Sequence, residues 1–126
     1  MKNEKFETKD DVLSVKSFDF SLRIIGLYKY LTTTHKEYIL SKQILRCGTA
    51  IGALISEGEF AQSKPDFINK MHVALKEANE TRYWLRLLAQ SDYISDKMFQ
   101  SLLPDIESLI RLLVSTIKTA KKNHAK

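Results

Sequence analysis

The sequence predicts an all-α protein, an antiparallel up-and-down four-helix bundle, and three observations predict it. Only four Gly and two Pro occur in 126 residues, so turns are few and the elements between them long. Apolar residues recur at steps of three and four along most of the chain, as on one face of an α-helix. No useful length alternates apolar with polar residues as a half-buried strand would. The apolar fraction of 44% beside 28% charged residues is that of a folded globular chain. A length of 126 residues suits one domain, 1–126, with 1–13 and 122–126 expected to be loose.

The first helix is expected over about 14–32, with a stripe of Phe18, Leu22, Ile25 and Tyr28 or Lys29, flanked by Ile24 and Leu31. Thr32-Thr33-Thr34 is a poor helical run and marks a connection. Thr34 stands three residues before Glu37, the spacing of a capping box, which opens a second helix over 35–60. There Leu40, Ile44, Cys47, Ile51 and Leu54 follow steps of four, three, four and three, the seam of a bundle. Gly48 and Gly52 cost that helix about 1 kcal/mol each relative to Ala. Close backbone approach by another helix, from this chain or a neighbouring subunit, offsets the cost. A phosphate loop is the competing idea, but no Gly-Lys-Ser/Thr follows.

Gly58 to Ser63 forms the next corner, and Ser63-Lys64-Pro65-Asp66 opens the third helix, over 64–90, with Ser63 as cap and Pro65 in the first turn. Its face carries Phe67, Met71, Ala74, Ala78, Thr81, Leu85 and Leu88. The fourth helix, over 95–121, carries Met98, Leu102, Ile106, Leu109, Leu113 and Ile117. Pro104 should kink or restart it, because its ring blocks the bond to the preceding turn.

The net charge of +5 is uneven along the chain. Residues 111–126 hold five cations and no acid, whereas residues 1–110 balance 15 against 15. The basic character therefore belongs to the C-terminal end, where cations also oppose a helix dipole. No segment approaches the roughly 20 apolar residues of a membrane span. The polar N-terminus lacks the apolar core of a signal peptide, and a lone Cys47 forms no internal disulfide. A cytoplasmic location is the expectation.

Catalytic chemistry finds little support. Cys47 lies on the apolar stripe, as a buried structural thiol does, and His35, His72 and His124 are scattered along the chain. A carboxylate-bridged metal pair needs two Glu-x-x-His motifs. Glu77-x-x-Glu80 occurs once and His72 has no Glu partner at that spacing. No Cys/His cluster offers a zinc site. Neither a catalytic set, a metal nor a cofactor is expected. Arg82 and Arg86, four apart, repel one another unless an acid or a phosphate lies between them. An acid on a neighbouring helix or subunit is the commoner answer. Tyr83 and Trp84 cannot both join the Thr81, Leu85, Leu88 stripe at 100° per residue. One of them faces away, as an interface aromatic or as a platform for bases, and self-association is the commoner case.

Leu40-Ser-Lys-Gln-Ile-Leu-Arg46-Cys-Gly48-Thr-Ala-Ile51-Gly52-Ala-Leu-Ile-Ser-Glu57-Gly58 resembles the LxxQLxRSxxSIxxNIAEG signature of the 23S rRNA intervening-sequence protein family. Asp66-Phe67-Ile68-Asn-Lys70 with Ala74 through Leu85 is similar to that family's second signature, and the resemblance spans about 18–118. It implies a bacterial four-helix bundle without known enzymatic activity, in this family often a ring-like homopentamer. A related branch, the accessory protein of diversity-generating retroelements, is a basic pentamer that binds nucleic acid and a reverse transcriptase. This chain departs from the signature at Cys47 for Ser, Leu54 for Asn and Ser56 for Ala.

The expectation is therefore a non-enzymatic homo-oligomer that binds RNA or DNA. Lys42, Arg46, Lys70, Arg82, Arg86, Lys118, Lys121 and Lys122 are the candidate phosphate contacts, and Gly48, Gly52, Tyr83 and Trp84 the candidate subunit contacts. The alternative is a scaffold oligomer whose partner is another, unidentified protein.

Overall fold

The computed structural model describes residues 9–125. It contains four helices, α1 (Lys9–Thr34), α2 (Leu40–Gly58), α3 (Lys64–Gln90) and α4 (Asp96–Ala125), and no strand among the described residues. Each connection is only five residues long, so consecutive helices run antiparallel. α1 packs on α2, α2 on α3 and α3 on α4, while α1 closes against α4 over a smaller area. α1 and α3 stand diagonally across the bundle, as do α2 and α4.

The stripes expected for α2, α3 and α4 supply the core. Ile44, Cys47 and Ile51 are buried from α2, Met71 through Leu88 from α3, and Leu102, Ile106, Leu109, Leu113 and Ile117 from α4. Each fully buried Leu or Ile contributes about 1.5–3 kcal/mol. Leu40, Leu54, Phe67 and Met98, at the stripe margins, are only partly buried.

α1 departs from expectation. Its inward face is Leu13, Ser17, Phe20, Ile24, Leu27 and Leu31, not the Phe18, Leu22, Ile25 stripe. The helix also begins at Lys9, because Leu13 is a core residue that holds the first turns down. Residues 1–8 lie outside the described residues. At the other end α4 runs on to Ala125, since buried Ala120 continues its stripe and Lys122 and His124 suit a helix C-terminus.

The caps differ between the two starts that the sequence marks. α3 begins as expected: Ser63 accepts from the Asp66 N–H at 3.2 Å, and Asp66 accepts from the Gln62 N–H at 3.2 Å. α2 begins at Leu40, not 35, and Thr34 belongs to α1. Residues 35–39 turn through Lys36 at φ 53°. Glu37 then caps α2 with its own carboxylate, accepting from the N–H groups of Ile39, Leu40 and Ser41 at 3.1, 2.9 and 2.7 Å. Those are the free donors of a helix start. Burial pushes the Glu37 carboxyl up, but these backbone bonds and the Ser41 hydroxyl outweigh it and leave the group below its ordinary value.

α4 does not restart at Pro104. The preceding turn loses one backbone donor there, and Arg23 of α1 enters beside it. Its guanidinium donates to the Ser101 carbonyl at 3.0 Å, the Ser101 hydroxyl at 2.7 Å and Asp105 at 2.6 Å. This clamp closes the α1–α4 seam.

Candidate interaction surfaces

The small residues of α2 face α1 of the same chain. A Cβ on Gly48 would lie 2.9 Å from both Cγ1 and Cγ2 of Ile24, and one on Gly52 would lie 3.3 Å from the Ser17 carbonyl. Gly48 is buried in the subunit and Gly52 partly exposed, and both allow close packing of α2 on α1 within the chain.

Two of the candidate phosphate contacts are engaged by acids. Arg46 spans two turns of α3, donating to Glu77 at 3.2 Å and Glu80 at 2.6 Å. Glu80 also accepts from the Trp84 indole N–H at 3.2 Å. That bond, with Arg46, holds the Glu80 carboxyl below its ordinary value, and Glu80 in turn raises Arg46. Lys70 donates to Glu57 at 3.0 Å. Both cations are therefore tied to carboxylates of the neighbouring helix, a pairing that sequence spacing does not display. Lys42 is exposed on α2, while Lys118, Lys121 and Lys122 are exposed on α4. Arg82 is half-buried and donates to the Asn79 side chain at 3.1 Å; Arg86 is exposed.

The aromatic pair divides. Trp84 packs partly buried against the core, whereas Tyr83 is 55% exposed and meets the Trp84 ring edge-on at 5.4 Å between centroids.

The surface that sequence reasoning did not assign lies on α1. Val15, Phe18, Leu22 and Ile25 point outward, Phe18 at 64% and Leu22 at 54% exposure. Their steps of three, four and three are those of a coiled-coil seam, and Val12 extends the patch toward the N-terminus. α1 thus carries apolar residues on two opposite sides, and helices apolar all round are normally covered all round. The signal was in the sequence, since both stripes have helical spacing, but nothing there tells inner from outer.

Catalytic geometry is sparse. Cys47 is fully buried, and burial pushes its thiol up; the Thr81 hydroxyl lies 3.2 Å from Sγ and donates to the Glu77 carbonyl at 2.8 Å. Among the described residues no group of His, Cys, Asp and Glu could hold a metal ion. No described helix is long and apolar enough to cross a membrane. An open depression at one end of the bundle is lined by Tyr30, His35, Tyr93 and Phe99. His35 in this lining lies edge-on to both tyrosines and 3.1 Å from the Tyr30 hydroxyl.

Comparison with known proteins agrees with the four-helix fold. Residues 9–115 match the profile of the family described as 23S rRNA-intervening sequence protein. A solved structure from Bacteroides thetaiotaomicron VPI-5482, described as a protein with unknown function from the S23 ribosomal protein family, is 52% identical. It aligns with a TM-score of 0.87 over 88% of this chain and 99% of that one. No curated protein matches the sequence.

Proposed function

The chain belongs to the 23S rRNA-intervening sequence protein family, and from that premise we propose that it works without catalysis, as one subunit of a homo-oligomer. The observation that carries this is the outward seam of α1. Val15, Phe18, Leu22 and Ile25 form one contiguous apolar strip directly opposite the face that α1 gives to its own core. Strips of this kind mark protein–protein contacts. The occupant is a second copy of the chain, because every helix of the subunit is already committed to its own bundle. Five copies is the number that the resemblance implies.

Sedimentation velocity tests it at micromolar concentration. The wild type runs as an oligomer, and Leu22→Glu or Phe18→Glu runs as a monomer with unchanged helical circular dichroism. Both side chains are solvent-facing in the subunit, so the change spares its core. A monomeric wild type, or variants that keep the wild-type mass, overturns the proposal.

A further inference from the structure

The end of the bundle that holds the 35–39 and 91–95 corners gathers negative charge. α1 and α3 both finish there, at Thr34 and Gln90, and neither has a basic residue in its last turn. A helix C-terminus presents carbonyl oxygens and a partial negative charge, which a Lys or Arg in that turn ordinarily offsets. Asp92 follows α3 and Asp96 opens α4; both are exposed, and neither is in an ion pair among the described residues. Asp96 opposes the positive end of α4, so Asp92 is the less neutralised of the two. Lys36 and Lys97, the nearest cations in sequence, are exposed and stand outside the lining of the depression at this end.

The lining itself is aromatic and acidic. Tyr30, His35, Tyr93 and Phe99 share it with Asp92 and Asp96, around a volume of about 630 Å³, which is within the range of small-molecule sites. His35 meets Tyr30 and Tyr93 edge-on at 5.2 and 5.5 Å between centroids. Its Nε2 lies 3.1 Å from the Tyr30 hydroxyl, so rings from α1 and from both corners brace one another. Aromatic rings attract a cation through their quadrupole, and carboxylates at the rim add to the attraction. A metal ion needs several oxygen or nitrogen ligands at short range, and no such group occurs among the described residues. A neutral ligand would leave the carboxylates without a counterpart, and an anion would be repelled by them. An organic ammonium, with alkyl groups spread around one positive charge, uses rings and carboxylates together.

We propose that this depression binds an organic ammonium ion, with its alkyl groups against Tyr30, Tyr93 and Phe99 and its charge toward Asp92 and Asp96. The site lies at the bundle end, beyond the α1 seam that stops at Ile25, so ligand binding and subunit assembly stand or fall separately.

The test is an NMR titration of the whole chain with choline, following the ring protons of His35 and Tyr93 at constant ionic strength. The control is the neutral isostere of choline, in which a tert-butyl group replaces the trimethylammonium. Choline should bind about tenfold or more tightly than that alcohol. Asp92→Asn should weaken choline about threefold, and Asn tolerates the left-handed backbone there, at φ 67°. Asp19→Asn, the same charge change on an exposed site of α1 three turns before Tyr30, should leave the affinity unchanged. Phe99→Leu keeps an apolar side chain but removes the ring, and should cost about threefold. Circular dichroism confirms the folding of each variant. N-acetyl-lysine amide is the second ammonium probe: tighter binding of choline points to a free methylated amine, and tighter binding of the lysine to a peptide side chain. Absence of binding by both ammonium probes, equal affinity for choline and its neutral isostere, or equal losses at Asp19 and Asp92 would overturn the proposal.

Discussion

Replacing Gly48 by Ala should destabilise the bundle even though Ala is the better helix former. In an unobstructed helix the change gains about 0.8–1.0 kcal/mol. Here the new methyl would meet Ile24 Cγ1 and Cγ2 at 2.9 Å and Ile24 Cβ at 3.3 Å. Ile24 is wholly buried, and a β-branched side chain in a helix has essentially one χ1 to offer. It cannot swing aside, so α1 and α2 must part slightly. Overpacking of this kind costs about 1–3 kcal/mol. The balance is a net loss of about 1 kcal/mol, reaching about 2. For a chain of 126 residues the unfolding entropy makes 1 kcal/mol worth about 4 °C in Tm. Thermal and urea unfolding at fixed protein concentration measure it, because assembly would make Tm concentration-dependent. Gly26→Ala is the internal reference: nothing lies within 4 Å of its added Cβ, so it should gain the full helix propensity. Ile24→Ala should cost less in the Gly48→Ala background than alone, since it removes the obstructing atoms. If Gly48→Ala proves as stabilising as Gly26→Ala, the close α1–α2 approach is wrong.

Three further outcomes follow from the local chemistry. Glu37→Ala should lose about 1 kcal/mol of stability at neutral pH by uncapping α2. Because the folded carboxyl lies below its ordinary value of 4.5, the contribution is present above that value and lost as pH falls through the lower folded one. Melts of wild type and variant should therefore converge in acid, and a constant gap would refute the cap. Cys47 should resist thiol reagents in the native protein and react once guanidinium unfolds it; rapid native labelling would contradict its burial. A double-mutant cycle on Arg46→Met and Glu80→Gln should give a coupling below about 1 kcal/mol, because the Arg46 side chain is 53% exposed. A larger coupling would show that the pair excludes water.

Most of the architecture was legible because α2, α3 and α4 are amphipathic in one direction only. Ile44, Cys47 and Ile51, or Leu102, Ile106 and Leu109, leave no choice of inner face. α1 misled for a physical reason: Phe18, Leu22 and Ile25 make a cleaner seam than the true core stripe, which includes Ser17. The error located the outward apolar strip of α1 instead of its core stripe. Charge was harder to place than burial. Arg46 and Lys70 look free in sequence because Glu77, Glu80 and Glu57 belong to other helices. Glu37 resembled a capping-box partner, whereas its position after α1 lets the carboxylate itself reach three N–H groups.

The Arg23 clamp also sets the order in which the subunit comes apart. α1 and α4 each have one broad neighbour and share one narrow contact, and that narrow contact is held by an ion pair whose side chains are 39% and 47% exposed. Exposed pairs weaken as salt rises. In an isolated subunit the backbone amides of α1 and α4 should therefore exchange with solvent deuterium through openings cheaper than global unfolding, and more so in high salt. α2 and α3, each flanked by two broad contacts, should exchange last. A neighbour seated on Leu22 and Phe18 would bury α1 between two bundles and convert one of the two easily opened helices into one of the most protected.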